Sequence, residues 1–264
     1  MAKYLEVAKI HMKAQLAWRA DVVFNMLFTI AKILFAYLLW GTIFQGKSVI
    51  GQFTFHGMLS YYIISSFLSQ LEMSGGVSSE IHDRIRQGSF SKFMVIPVNI
   101  EAYFVFMEIG VVGFYFFFDL IAAVMWKYIF RIQFQFTHDP EILACAAAMI
   151  LLGLFFMVQL NYLLGIMTLK YQGIGTFLMI KNNLMELVTG TIVPLALFPD
   201  AIVEVMKYLP FYYVTYLPSM LLIGQCRQEA VKGLAIIMVW CIGIQAVIRV
   251  TWKKYIRKYD GVGI

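Results

Sequence analysis

The sequence predicts an all-α membrane protein with six transmembrane helices, and three observations support this fold class. Of its 264 residues, 61% are hydrophobic and only 14% are charged, whereas soluble domains are closer to half apolar and a quarter charged. A soluble fold with this composition would leave large apolar patches exposed to water. The apolar runs are continuous rather than alternating, which favours helices over a β-barrel. Each run approaches the roughly 20 residues that cross the hydrocarbon core of a bilayer.

The predicted spans follow one another along what we expect to be a single transmembrane domain, residues 1–264. They are residues 22–43, 54–73, 102–126, 142–164, 174–196 and 233–251. The fifth span is the least regular, because polar side chains fall in its first half. These are Lys181, Asn182, Asn183 and Glu186.

The distribution of Lys and Arg predicts the orientation. If the N-terminus is cytoplasmic, the cytoplasmic segments hold 14 of the 21 basic residues and the outer segments hold 6, with Lys32 inside the first span. The positive-inside rule therefore places both termini in the cytoplasm. The net charge of +6 mostly reflects this bias, which favours anionic lipid headgroups over nucleic acid as the partner surface.

The N-terminal residues 1–20 mix basic and apolar side chains in a helical rhythm and end with Trp18. They do not show the pattern of a cleavable signal, which is a short basic region, an apolar run and then small residues. We interpret them as an amphipathic helix in the inner membrane interface, and a frayed cytoplasmic tail is the alternative. Near the C-terminus, "WKKYIRKYD" is typical of a basic, aromatic interfacial anchor.

Several kinds of chemistry lack their sequence signatures. The chain contains neither GxxxxGK(S/T), which cradles nucleotide phosphates, nor the GxSxG elbow of serine hydrolases. The four histidines and three cysteines are scattered without metal-ligand spacing. We therefore expect no catalytic residues, no metal and no cofactor in this chain.

A polar segment interrupts the apolar pattern between the second and third spans, in the predicted cytoplasmic loop 74–100. It is predicted to form a short helix, which Ser78 or Ser79 can cap at its start and Gly88 can end. An apolar stripe recurs every four residues along it, at Val77, Ile81 and Ile85. Such a helix suits docking into a groove of a partner protein. The alternative is a helix that lies flat on the membrane surface.

Prolines concentrate before the last span. Four of the six are Pro194, Pro199, Pro210 and Pro218. Proline interrupts helices, and irregular backbone at membrane depth survives only where protein or water surrounds it. Residues 197–232 are therefore predicted to form one or two short re-entrant helices in the outer leaflet, and a hydrophobic surface loop is the alternative.

Two segments together resemble a known family. The segment "IRQGSFSKFMVIPV" resembles the signature that follows the second span of type 2 ATP-binding cassette (ABC) exporter permeases. The segment "VTGTIVPLALFP…YLPFYYVTYLP" resembles the proline-rich signature before their last span. The resemblance extends over nearly the whole chain and is greatest to the branch that contains drug- and viologen-exporting permeases.

The resemblance implies an export subunit rather than an enzyme. The chain would form one transmembrane half of a dimeric exporter in the plasma membrane, paired with an identical or homologous permease. ATP and magnesium would be bound by a separate cytoplasmic ABC ATPase subunit, present in two copies. The exported substrate is expected to be hydrophobic or amphipathic, such as a drug, a peptide or a lipid-like compound.

The resemblance also implies roles for particular residues. Residues 78–88 would be the coupling helix. Contact with the ATPase is expected from Val77, Ser79, Glu80, Ile81, Asp83, Arg84, Ile85 and Arg86. The second and fifth spans would line the translocation path, for which the candidates are Ser65, Ser69, Asn183, Glu186 and Gly190.

Lys32 lies in the middle of the first span, where an unpaired Lys costs about 2.5–3.5 kcal/mol on insertion scales. Glu186 lies at a similar depth in the fifth span, whereas Glu108 and Asp119 lie towards opposite ends of the third. The sequence therefore predicts a contact between Lys32 and Glu186, either a direct ion pair or one through water, which either locks two helices or opens and closes with the path.

The same four intramembrane charges also suit an ion-coupled secondary transporter, which is the alternative function. Such folds often contain an internal repeat, and the sequence shows no convincing one.

Overall fold

The computed structural model describes residues 2–17, 19–72, 74–129, 133–171, 173–189 and 194–259. Within these ranges the chain is helical apart from one short hairpin and the connections. The α-helices are α1 (Ala2–Gln15), α2 (Arg19–Ile43), α3 (Phe55–Leu71), α4 (Gly75–Arg86), α5 (Ser91–Val95), α6 (Ile100–Ile129), α7 (Pro140–Ile166), α8 (Gly175–Val188), α9 (Asp200–Met206), α10 (Leu217–Leu222) and α11 (Ala230–Tyr255).

Four helical segments of the described chain are long and apolar enough to cross a membrane. They are Val23–Ile43, Ile100–Val124, Pro140–Leu169 and Arg227–Tyr255. They coincide with the first, third, fourth and sixth predicted spans, which confirms an all-α fold with membrane-spanning helices. The second and fifth predicted spans correspond to α3, with 17 residues, and to α8, with 14. Six spans therefore stay a prediction.

Helix α7 lies at the centre of the packed core, in contact with α4, α10 and α11. Small residues let these helices approach closely. A Cβ atom at Gly233 of α11 would lie 2.6 Å from Leu217 Cδ2 of α10, and one at Gly153 of α7 would lie 3.1 Å from the Val214 Cα atom. The Gly233 contact is with a side chain, whereas the Gly153 contact brings two backbones together, which is typical of helix association in lipid. In contrast, α2 and α8 are largely exposed along their described lengths.

Helix α1 packs against α6 rather than extending away as a loose tail. A Cβ atom at Gly110 of α6 would lie 2.1 Å from the carbonyl oxygen of Ala8, so the two backbones touch. The Tyr4 and Phe106 rings stack with centroids 5.3 Å apart. The helix predicted in residues 1–20 is therefore present, and its location at the membrane interface stays a prediction. Trp18 lies outside the described residues.

A β-hairpin connects α2 to α3, which the sequence analysis did not predict. Strand β1 (Val49–Ile50) pairs antiparallel with β2 (Phe53–Thr54) through the two-residue connection Gly51–Gln52. Gly51 has φ +61°, which is the left-handed backbone that such tight turns require. The strands are only two residues long, which is too short for the alternation of apolar and polar residues that indicates a strand in a sequence.

The proline-rich region is broken into short elements, as predicted. Residues Leu195–Leu197 form a 3₁₀ turn, and α9 is followed by a π-helical turn at Tyr212–Tyr216 that runs into α10. Every residue from 210 to 221 is buried, because this segment packs on α7 and α3. Its depth in the outer leaflet stays a prediction.

Candidate functional site

A cavity of about 630 Å³ lies between α2, α3 and α8. This volume is in the range of small-molecule sites, about 300–1,000 Å³. Its walls are aromatic and aliphatic with a few polar groups. The lining residues are Lys32, Phe35, Ala36, Leu39, Trp40, Tyr62, Ser66, Ser69 and Glu186. The cavity therefore combines apolar walls with opposite charges from two different helices.

The structure brings only some of the predicted path residues to this cavity. Ser69 and Glu186 line it. Ser65 lies in the core, 1% exposed, where its hydroxyl donates to the Tyr62 carbonyl at 3.2 Å. Asn183 is exposed on α8 outside the lining residues, and Gly190 lies outside the described part of the chain.

Ser66 and Trp40 line the cavity and were not among the residues predicted for the path. The signal that could have found Ser66 is its helical spacing of three from Ser69, which places both side chains on one face of α3.

Lys32 and Glu186 line the same cavity, yet they do not form an ion pair in this structure. The ion pairs within 4.0 Å among the described residues do not include them, and both side chains are exposed. Glu108 and Asp119 of α6 are buried, at 4% and 6% exposure. Direct pairing of Lys32 with Glu186 stays a prediction.

Helix α4 begins at Gly75, before the predicted Ser78 or Ser79 cap. The N-cap residue is instead Ser74, and its side chain makes no capping hydrogen bond. The end was predicted correctly. Gly88 follows the helix with φ +72°, and its N–H donates to the Ile85 carbonyl at 3.2 Å.

The apolar stripe of α4 faces the chain itself. Val77 and Ile81 are both 0% exposed, and a Cβ atom at Gly165 of α7 would lie 2.8 Å from Ile81 Cβ. His82 Nδ1 lies 2.9 Å from the Thr168 hydroxyl, just beyond the end of α7. Helix α4 is thus attached to the end of α7 by packing and by a polar contact.

The opposite face of α4 is polar and open, because Ser79, Asp83 and Arg86 are exposed. Beside them, Arg84 forms an ion pair of 2.7 Å with Glu80 one turn earlier. The Arg84 guanidinium also lies 4.7 Å from the centroid of the Phe93 ring of α5. These contacts hold Arg84 along the helix, while Ile85 is half-buried.

A buried chain of hydrogen bonds joins α8 to the turn between α3 and α4, and we call it the relay. The Lys181 ammonium donates to Asn161 Oδ1 at 3.2 Å. The Asn161 amide donates to the Ser74 hydroxyl at 2.7 Å, and the Ser74 hydroxyl donates to the Glu72 carboxylate. Every donor therefore points the same way, from the cation towards the anion.

Burial explains why the relay is complete. Lys181 is 7% exposed, Ser74 is 1% exposed and Asn161 is 0% exposed. A charge or an amide at such depth is costly unless its hydrogen-bonding groups are satisfied. The sequence analysis assigned these residues no common role. The available signals were Lys181 and Asn161 within apolar runs, and neither indicates which group is its partner.

Comparison with known protein families identifies the chain. A family model described as ABC-2 family transporter protein matches residues 30–263, which is most of its length. The chain belongs to the ABC-2 transporter family. No curated protein gives a significant match. The family is one of membrane-embedded transport subunits, so this permease is an integral membrane protein with a role in transport. Membership also implies that the permease works with an ABC ATPase.

A second charged cluster of the permease lies at the end of the molecule that carries α9. Lys207 forms ion pairs with Glu229 at 2.8 Å and Glu204 at 3.0 Å. The hydrogen bond that the Lys207 ammonium donates to Glu229 raises the pKa of this ammonium above its ordinary range. The Tyr212 hydroxyl donates to Glu229 at 3.0 Å, and the Tyr213 hydroxyl donates to the Lys207 carbonyl at 2.6 Å. These contacts fasten α9 to the start of α11.

Proposed function

We propose that this permease exports a hydrophobic or amphipathic compound, driven by a separate cytoplasmic ABC ATPase. The observation that carries the proposal is α4, which buries its apolar stripe on α7 and leaves a charged face open. The family implies an ATPase partner, and the positive-inside bias favours the cytoplasm for α4. In this proposal α4 is the coupling helix.

The exposed face of α4 would meet the ATPase, with Asp83 and Arg86 as the central contacts and Glu80 and Arg84 beside them. On the opposite face of α4, Val77 and Ile81 would hold the helix against α7. Because Ile81 is packed against Gly165, a displacement of α4 cannot leave α7 in place. We therefore expect a force applied to the charged face to reach the helices through this packed contact.

The cavity between α2, α3 and α8 would form part of the translocation path. Its mixture of aromatic walls with Lys32 and Glu186 supports an amphipathic cargo. A second permease copy or a homologue would complete the path, with α2, α3, α6, α7, α8 and α11 as the six spans. The short helices of residues 197–232 would dip into the outer leaflet.

The test reconstitutes the permease with its ATPase in vesicles and compares Asp83→Lys and Arg86→Glu with the unaltered chain. Opposed like charges at an interface cost several kcal/mol, so we expect each variant to lose about tenfold or more of ATP-driven transport. Glu141→Lys is the matched control, because Glu141 is an exposed acid at the far end of α7.

Membrane insertion and melting temperature should be unchanged in all three variants, since the side chains are exposed. Full transport with normal ATPase binding in both α4 variants would rule out α4 as the coupling helix. Family membership favours this function over an ion-coupled secondary transporter. Transport driven by an ion gradient without any ATPase would reverse that preference.

A further inference from the structure

Two adjoining cavities form one groove between α6, α7 and α11. Their volumes are about 500 Å³ and about 400 Å³. They share Glu101 at the start of α6 and two residues of α11, Gln245 and Arg249. The groove lies on different helices from the cavity between α2, α3 and α8.

The groove is apolar at one end and polar at the other. Its apolar arm is lined by Phe155 of α7 and by Ile242 and Ala246 of α11. Its polar arm is lined by Asn99 and Trp252 among others. From Arg249 to Ile242, α11 rises by about 10 Å along its axis. The groove therefore has a polar end at the basic terminus of a candidate span and an apolar end deeper along that span.

The polar arm holds opposite charges that do not neutralise each other directly. Arg249 is exposed, and the ion pairs of the described residues include neither Arg249 nor Glu101. Both nevertheless line the same cavities. This leaves room for a molecule that carries an anion for Arg249 and a cation for Glu101.

Hydrogen bonds hold the polar arm in place. Gln159 of α7 is 1% exposed and donates to Gln245 Oε1 at 2.5 Å. Gln245 in turn donates to Glu101 Oε2 at 2.9 Å. Asn99 Oδ1 accepts from the Ala102 N–H at 2.9 Å and so caps the start of α6. The carboxylate therefore has a fixed position beside a helix N-terminus, which favours anions.

We propose that this groove binds a phospholipid with an aminoethyl headgroup. The phosphate lies beside Arg249 and the start of α6, the ammonium lies beside Glu101, and one acyl chain follows the apolar arm. The occupant comes from the bilayer, because Ile242 is 72% exposed on a helix long and apolar enough to span it. This site is independent of the transport proposal.

The test measures binding of phosphatidylethanolamine and phosphatidylglycerol to the delipidated full-length chain by native mass spectrometry. The unaltered chain should prefer phosphatidylethanolamine. Arg249→Gln should weaken binding of both lipids by about tenfold or more, because it removes a charge-assisted contact to phosphate. Glu101→Gln should abolish the preference and leave phosphatidylglycerol binding in place.

Two further variants separate this site from general lipid attraction. Lys254→Gln removes an exposed basic residue five positions beyond Arg249 that does not line the groove, and this variant should bind as the unaltered chain does. Ala246→Trp fills the apolar arm from an exposed position, and it should weaken both lipids without changing the melting temperature of the lipid-free protein.

Equal binding of the two lipids by the unaltered chain would overturn the proposal. So would wild-type affinity in Arg249→Gln, or an equal loss in Lys254→Gln. Because binding is measured without an ATPase, failure of the transport proposal would leave these results unaffected.

Discussion

The relay from Lys181 to Glu72 predicts a large and non-additive loss of stability when one end is removed. The perturbation is Lys181→Met, which keeps an unbranched side chain of comparable length and deletes the ammonium. Lys181 is 7% exposed and its hydrogen-bond partner is Asn161 at 3.2 Å. The change therefore removes the cation from a site that water does not readily enter.

Two contributions set the size of the effect. A hydrogen bond to a charged group contributes about 1.5–3 kcal/mol, and Lys181→Met removes one. The Glu72 carboxylate then remains at the other end of the relay without its cation. Because Lys181 and Glu72 are joined through Asn161 and Ser74 and are not in direct contact, the loss should stay below the roughly 3–5 kcal/mol of breaking a directly paired buried charge and close to the roughly 1.5–3 kcal/mol of the lost hydrogen bond. We expect a decrease of that size in the free energy of unfolding.

The assay is a double-mutant cycle over Lys181→Met and Glu72→Gln. Unfolding in mixed micelles with increasing dodecyl sulfate is followed by circular dichroism. The double variant should lose less than the sum of the single variants, because it no longer contains an uncompensated charge. Lys92→Met is the matched control, since Lys92 is exposed on α5, and it should lie within about 0.5 kcal/mol of the unaltered chain.

Single losses that add within about 0.5 kcal/mol, the agreement expected of independent sites, would contradict the coupling of Lys181 to Glu72. A loss in Lys181→Met no larger than the loss in Lys92→Met would contradict it as well. Either result would mean that Lys181 reaches water in solution and that Asn161 and Ser74 do not connect it to Glu72.

Two further predictions concern α1. Gly110→Ala should release α1 from α6 and make α1 sensitive to protease, because the added Cβ would lie 2.1 Å from the Ala8 carbonyl oxygen. Gly113→Ala is the control and should have no such effect, because a Cβ there meets nothing within 4 Å. Equal protease resistance in both variants would contradict the packing of α1 on α6. Burial lowers the pKa of the His11 imidazole, so the unfolded state takes up the proton first as pH falls. The protection factors of the α1 amides, which correct for the slower intrinsic exchange in acid, should therefore be high at pH 7 and lower below about pH 6.5, and a similar loss of protection in His11→Gln would assign it to another group.

Much of the helical framework could be predicted because the signals are local. Continuous apolar runs located α2, α6, α7 and α11 to within a few residues, and proline placement predicted the broken region before α11. Gly88 marked the end of α4, since its left-handed backbone is a property of a single position. For the fifth span, the predicted start at residue 174 lies one residue before the start of α8 at Gly175, whereas α8 ends at Val188, eight residues before the predicted end.

The sequence by itself determined that the chain is helical, suited to a membrane and divided by one amphipathic helix. It also determined that Val77 and Ile81 share a face of that helix, because helical period follows from spacing alone. It did not determine what covers the face. Only the tertiary structure showed that α7 covers it at Gly165, because an apolar stripe has the same pattern whether its cover is the chain itself or a partner.

The relay shows the same limit of prediction from sequence for polar residues. Lys181 and Asn161 were both visible in the sequence, and so was the cost of burying them. Their partnership required α8, α7 and the turn after α3 to meet at one point. The sequence records that a polar group needs a partner, whereas only the packing of distant segments decides which group provides it.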